Sequence, residues 1–363
     1  MVTRKRMYAD LVDSNQIGQF KDVMKDVARR TRKFPGRRNC VVDIRSHSGG
    51  FEYRGQRKFK VQSTLESLGH KNVIAEKMYA ETGDPSVFAG IGKCTMRMSI
   101  NDLIASGTMP VTFQDEVAAG ASSWFTDMKR ARVIGESFFE GCKEDGVALV
   151  GGESPALPFL VKEELPVMSG VANGFLLKDW EVPDRVRVND CIVGVHASTL
   201  HSNGSSLIIR LAEKMKRGFF TKLPGGTTFG EEVLVATRSY VSLVETLLAN
   251  GVRVHKFLPG TGDGVAKLGT IEGDLMHVID FWPAMPLLFQ FLRFDLDVSL
   301  FDMLTTFNCG IGYYVFVPRS EVDAVLKLGR KAGYTMDLLG VVKHGKRGVV
   351  CGAFKGLWLP PPH

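Results

Sequence analysis

Between residues 129 and 152 a helical pattern runs directly into a strand that stops on glycines. Ala131, Ile134, Phe138 and Cys142 recur at three- and four-residue intervals, the single apolar stripe of a helix laid on a core. VALVGG at 147–152 then has the composition of a buried strand, and Gly151 and Gly152 end it with the backbone closely exposed. Helix and strand therefore share one core, as in an α/β chain.

The same mixture continues on both sides. The spacing predicts a helix over 14–30, a break at Pro35 and Gly36, and a strand at Val41–Ile44. Beyond the midpoint it predicts a strand at 191–197, helices at about 204–217 and 231–250, and a strand at 311–317. A last helix starts near Ser320, whose spacing to Asp323 matches a capping box. No repeat of 20–50 residues is evident.

A length of 363 residues exceeds what one core usually reaches, so two domains are expected. The polar stretch DWEVPDRVRVND is the best boundary, giving domains over 1–180 and 187–363. Charged residues at 23% and hydrophobic residues at 44% leave no room for extensive disorder. No run approaches the ~18 to 20 apolar residues of a membrane helix. The first fifteen residues carry no apolar signal core, so no membrane association and a cytoplasmic location are expected.

The six cysteines are scattered singly, which signals neither a zinc site nor a disulfide framework; buried thiols are expected. The net charge of +7 is local: residues 1–60 hold 16 Lys and Arg against 6 Asp and Glu. Its densest part, RRTRKFPGRR at 29–38, reads as a solvated face or a funnel for anionic substrates. A nucleic-acid footprint is possible but not favoured, because aromatics are not interleaved.

Neither common nucleotide loop is present. Gly92-Lys93-Cys94 lacks the hydroxyl and upstream glycine of a P-loop, and GTGDG at 260–264 lacks the dinucleotide spacing. Four other segments carry the candidate chemistry. In LHSNGSSLIIR at 200–210, His201, Ser202, Asn203 and Gly204 sit between a strand and a helix, where free N–H groups favour a phosphate. An ordinary N-cap by Ser202 or Asn203 is the alternative. In VALVGGESPALP, Glu153 follows the strand-ending glycines and offers a carboxylate to a metal ion or polar ligand, or sits in a plain turn. In the segment at 94–120, Asn101 and Asp102 interrupt a Met/Ile/Leu-rich helix, and a buried Asp demands a cation or donor. In MLTTFNCGIGYYVFVP, Thr305, Thr306 and Asn308 precede Gly-x-Gly and a strand, a place for ligand contact or for a turn.

In this order the four segments resemble the aminoimidazole ribonucleotide synthetase family, also called phosphoribosylformylglycinamidine cyclo-ligase. The matching residues are Asn101–Ile104 with Gly107 and Pro110, Gly151–Glu153, His201–Leu207 and Thr306–Gly312. Tyr8-Ala9-Asp10, Gly49-Gly50-Phe51 and Thr237–Val241 are further echoes, so the resemblance spans almost the whole chain.

The resemblance implies a two-domain α/β (α+β) subunit whose N-terminal sheet pairs across a homodimer, while the C-terminal domain closes the site. It implies ATP and Mg2+ as cofactors and a small nucleotide substrate. His201, Asn203 and Glu153 then take catalytic roles; Gly69, Lys71, Asn101 and Asp102 bind ATP. Ser202, Gly204, Thr306 and Asn308 bind substrate, and Asp102 and Glu66 hold the metal.

Two motifs depart from the family. Its S-T-D-G-V-G-T-K loop appears as Ser63–Lys71, one residue longer and without Asp-Gly, so Glu66 stands in for the metal-binding Asp. Its ITGGG appears as Leu258–Asp263. A related kinase or ligase with another acceptor, or a non-catalytic binding descendant, are the competing readings. The complete HSNG and TFN motifs favour the cyclo-ligase.

Overall fold

The computed structural model describes residues 12–45 and 48–362. Tyr8, Ala9 and Asp10 lie outside them. The chain forms two compact units that interleave: the first runs to Gln56 and takes in Ser63–Ser99 and Pro110–Gly174, while the second comprises Arg57–Gln62, Ile100–Met109 and everything from Phe175.

Among the described residues up to Leu177 the elements are α1 (Ser14–Thr31), β1 (Cys40–Ile44), β2 (Gly49–Tyr53), β3 (Phe59–Ser67), α2 (Lys71–Thr82), α3 (Ile91–Leu103), β4 (Met109–Ala119), α4 (Met128–Asp145), β5 (Ala148–Glu153) and β6 (Pro166–Leu177). β1 and β2 form an antiparallel ribbon, and the order β3-β6-β4-β5 makes a four-stranded sheet in which β4 and β5 run parallel. The expected stripe of α4, Ala131, Ile134, Phe138 and Cys142, is buried throughout. α4 starts under Asp127, which accepts from the Lys129 and Arg130 N–H groups at 3.0 and 3.1 Å, and stops at Gly146 in the left-handed region. α1 packs on α4 where Gly135 leaves room for Val23; a Cβ at Gly135 would lie 2.5 Å from that side chain.

In the basic run at 29–38, Arg29, Arg30, Arg32, Lys33 and Arg37 are exposed, as a solvated face would be, while Arg38 is buried. Arg30 pairs with Glu136 at 2.9 Å and Arg29 with Asp26 at 2.9 Å. Arg37 donates to the Asp145 carbonyl, and buried Arg38 donates to the carbonyls of Pro110, Asp145 and Gly146. Much of this charge ties α1 and the following turn to the start of β4 and the end of α4.

The second unit holds β7 (Cys191–His196), α5 (Ser205–Lys214), α6 (Phe229–Leu234), α7 (Val241–Ala249), β8 (Lys256–Pro259), β9 (Leu275–Ile279), α8 (Leu287–Phe294), α9 (Leu300–Thr306), β10 (Ile311–Val317), α10 (Val322–Lys331), β11 (Met336–His344), β12 (Gly348–Cys351) and β13 (Leu357–Leu359). Its seven strands lie in the order β13-β12-β9-β11-β7-β10-β8, with β10 buried along its whole length. The sheet is mostly antiparallel, with β12 and β9 parallel.

Two local expectations are corrected. The single helix over 231–250 is two, α6 and α7, because Val235 leaves the helical region and the chain stays irregular to Tyr240. No capping box forms at Ser320: α10 has Glu321 at its N-cap without a side-chain bond, and the Ser320 hydroxyl instead accepts from Arg253 at 3.4 Å. A complete capping box does start α6, between Thr228 and Glu231. All six cysteines are buried and unbridged, and no helix among the described residues is long and apolar enough to cross a membrane.

Candidate functional site

In the second unit, sequence-distant polar residues meet at the C-terminal end of β7. His201 adopts φ 60°, a conformation that swings the loop after β7 inward, and its ring is only 2% exposed. Its Nε2 lies 3.5 Å from the Tyr240 hydroxyl, which donates to the His196 carbonyl at 3.3 Å. Gly312 makes this possible: a Cβ there would lie 2.0 Å from the Tyr240 oxygen and 2.4 Å from His201 Cε1. Tyr240 stacks on Tyr313 with ring centroids 4.7 Å apart.

Asn101 joins the same group. Its amide donates to the Arg238 carbonyl at 2.9 Å, its side-chain oxygen accepts from the Tyr240 N–H at 3.2 Å, and its carbonyl accepts from the Tyr313 hydroxyl at 3.3 Å. Neighbouring Asp102 is partly exposed, and its negative charge adds to the burial that raises the Tyr313 hydroxyl well above its ordinary pKa.

The HSNG segment enters α5 without a side-chain cap. Gly204 occupies the N-cap position at φ 76°, so the ordinary cap by Ser202 or Asn203 is absent. Ser202 instead approaches the Thr237 hydroxyl at 3.4 Å, and the Asn203 amide nitrogen is buried with no hydrogen-bond partner among the described residues. Asn308 donates to the Thr199 carbonyl at 2.9 Å and accepts from the Gly310 N–H at 2.9 Å, clamping the loop after β7 to the turn before β10. Thr306 borders the same place, 3.2 Å from a Cβ built at Gly204. The second unit thus brings together Asn101, His201, Ser202, Asn203, Gly204, Thr306 and Asn308.

The first unit holds the other candidates in two places. β3 leads through half-exposed Glu66 and exposed Gly69, at φ 72°, into α2, whose N-terminus also has no side-chain cap. Lys71 is 0% exposed; burial lowers its ammonium pKa, opposed by the Cys94 side chain beside it. Its backbone, not its ammonium, faces the start of the helix.

Glu153 is the second place. It ends β5, pairs with Lys21 at 3.2 Å and accepts from the Ser154 N–H at 3.0 Å, which together hold its pKa below the usual glutamate value. Sequence reasoning missed its neighbour Asp115, which opposes Gly152 across the β4–β5 register. Asp115 is 5% exposed, and burial, reinforced by the Glu153 charge, pushes its pKa up to about 7. Among the described residues no group of three His, Cys, Asp or Glu side chains is placed to hold a metal ion.

An open four-stranded sheet, an antiparallel-rich partner unit and two uncapped helix starts without a P-loop define the AIR synthase-related class. The family description "AIR synthase related protein, N-terminal domain" matches residues 54–176. In solved structures the fold is shared by thiamine-monophosphate kinase from Stenotrophomonas maltophilia, at TM-score 0.63 and 18% identity over 90% of this chain and 94% of that one. Escherichia coli HypE, a hydrogenase maturation protein, gives TM-score 0.61 and 15% identity, covering 94% and 97%.

Among curated proteins, phosphoribosylformylglycinamidine cyclo-ligase of Thermosynechococcus vestitus is 33% identical over 85% of this chain and 86% of its own length. That of Neisseria meningitidis serogroup B is 28% identical over 92% and 93%. The chain belongs to the phosphoribosylformylglycinamidine cyclo-ligase family.

Proposed function

We propose that the protein closes the imidazole ring of purine biosynthesis, converting formylglycinamidine ribonucleotide to aminoimidazole ribonucleotide at the expense of ATP. ATP activates the formyl oxygen as a phosphate ester; the ribose-bearing amidine nitrogen attacks that carbon, and phosphate leaves. The observation that carries the reading is the HSNG entry to α5, where an uncapped helix start, an unpartnered Asn203 amide and buried His201 converge. These groups would hold the substrate's phosphate or its reacting amide, with Ser202, Gly204 and Thr306 beside them. Asn308 acts by clamping the loop, since both ends of its amide are bonded to backbone.

Phosphoryl transfer depends on alignment and charge neutralisation more than on a protein nucleophile. Gly69 and the first backbone N–H groups of α2, at Lys71, would meet the ATP phosphates. Asn101 and Asp102 belong to the same ATP-binding proposal, and Asn101 holds the backbone at Arg238 and Tyr240. Magnesium ordinarily rides on nucleotide phosphates with one or two protein carboxylates, and Asp102 and Glu66 are the carboxylates proposed for it.

A homodimer formed through the open face of the four-stranded sheet belongs to the same proposal, because Phe59, Val61 and Leu65 lie on one face of β3 and are exposed. A cytoplasmic location likewise fits a nucleotide-consuming enzyme. The test is product formation from purified protein, ATP, magnesium and formylglycinamidine ribonucleotide, with Asp102→Asn and His201→Ala as controls. Aminoimidazole ribonucleotide and ADP in equal amounts, lost in both variants, are expected; ATP bound without product would overturn the assignment of the acceptor.

A further inference from the structure

The first unit contains a buried carboxylate to which none of the family motifs discussed above gives a task. Asp115 lies within β4, opposite Gly152 near the end of the parallel strand β5. Its Oδ1 is buried with no hydrogen-bond partner among the described residues. Leaving a carboxylate so placed is costly unless something completes it. Gly152 is part of the arrangement, since a Cβ there would lie 2.2 Å from that oxygen.

Two cavities, of about 310 and 510 Å³, share Arg45, Asp115, Val150, Gly151 and Gly152 in their walls. The cations around them are matched elsewhere: Lys21 to Glu153 at 3.2 Å, Lys25 to Asp22 at 3.0 Å and Arg45 to Asp43 at 2.7 Å. What completes Asp115 therefore comes with the ligand and brings N–H donors. A metal ion is the poorer fit, because Glu153 is already held by Lys21 and the Ser154 N–H, and Glu116 accepts from the Ser169 hydroxyl.

Resting on the cyclo-ligase reading, we propose that Asp115 receives the amidine group of the substrate, accepting its paired N–H donors in the way a carboxylate accepts a guanidinium. The planar, two-donor geometry of an amidinium matches both carboxylate oxygens. A cation arriving there also offsets the desolvation that keeps this carboxyl near neutrality. The amide analogue, with oxygen in place of the amidine =NH, would put an acceptor against the carboxylate and be rejected. Asp115 is then the residue by which the enzyme tells its substrate from the amide.

Calorimetric binding of formylglycinamidine ribonucleotide and of formylglycinamide ribonucleotide to the full chain tests this directly. The wild type is expected to prefer the amidine by roughly tenfold or more, as sites built to hydrogen-bond one group do. Asp115→Asn, close in shape, is expected to bring the ratio near one while leaving amide binding within about threefold of wild type. Gly152→Ala, which displaces the carboxylate without removing it, is expected to lower the ratio as well. A preference that survives in Asp115→Asn, or no preference in the wild type, overturns the proposal. Ring closure is assayed separately: a wild type that discriminates but makes no product refutes the cyclo-ligase reading and leaves amidine recognition standing.

Discussion

At the scale of single residues, two buried ionisable groups set how stability responds to pH. Asp115 has an ordinary carboxyl value of 3.8 and a folded value of about 7. The folded state favours its protonated form, so its contribution is fully present below about pH 4 and is lost as pH rises through 7. Asp115→Asn never ionises. Its melting temperature should therefore equal or trail that of the wild type near pH 4 and exceed it by a few degrees at pH 8, read by calorimetric scans without ligand. A difference that stays flat from pH 4 to 8 would refute the assignment. His277, on β9, has the opposite sign. Its ring is buried against Phe316, one of its nitrogens has no hydrogen-bond partner among the described residues, and burial lowers its pKa from 6.5 to about 4. The stability it protects is present above pH 6.5 and lost as pH falls through 4. Urea midpoints of wild type and His277→Leu should converge over that interval on acidification, because only the wild type must take up a proton on unfolding there.

At the scale of elements, the loop after β7 depends on the missing side chain at Gly312. Gly312→Ala would drive a methyl group into Tyr240 and His201, and the Gly312 carbonyl, which accepts from the Gly260 N–H at 2.9 Å, ties the backbone in place. We expect a product-forming rate at least ~10-fold lower, with modest loss of stability, since the ring that must move belongs to the site. An unchanged rate would show that His201 does not act where it sits. The same region separates what the sequence discloses from what it does not. The stripe of α4 and the strand after it were legible because burial has a period there. The break between α6 and α7 was not, because Val235 to Tyr240 fit a helical pattern. Asn101, far away in the chain, holds the backbone at Arg238 and Tyr240 out of that helix. Asp115 was illegible for a related reason: a lone Asp in a strand reads as a solvent-facing residue, and only the pairing of β4 with β5 places it against Gly152. The motif residues at Asn101, His201 and Asn308 were easier, since each lies in a short polar run that interrupts an apolar pattern.

At the scale of the whole molecule, the four-stranded sheet is unfinished. Val61 and Leu65, two strand periods apart on β3, are 64% and 66% exposed, and Val167 on the neighbouring strand β6 is also exposed. Uncovered apolar side chains repeated along a strand mark a surface meant to be buried, and a second copy offers the same face to itself about a two-fold axis. The proposed dimer predicts a particle of about twice the 40.0 kDa chain mass in light scattering. Leu65→Glu places a charge at the centre of that face. It is expected to yield monomers whose helical and strand content is unchanged, because the side chain contributes nothing to the core of its own unit. Arg132, exposed on α4, serves as the comparison: Arg132→Glu should leave the dimer intact. A wild type that is monomeric at micromolar concentration would remove the dimer, and with it the reason for so much apolar surface on β3.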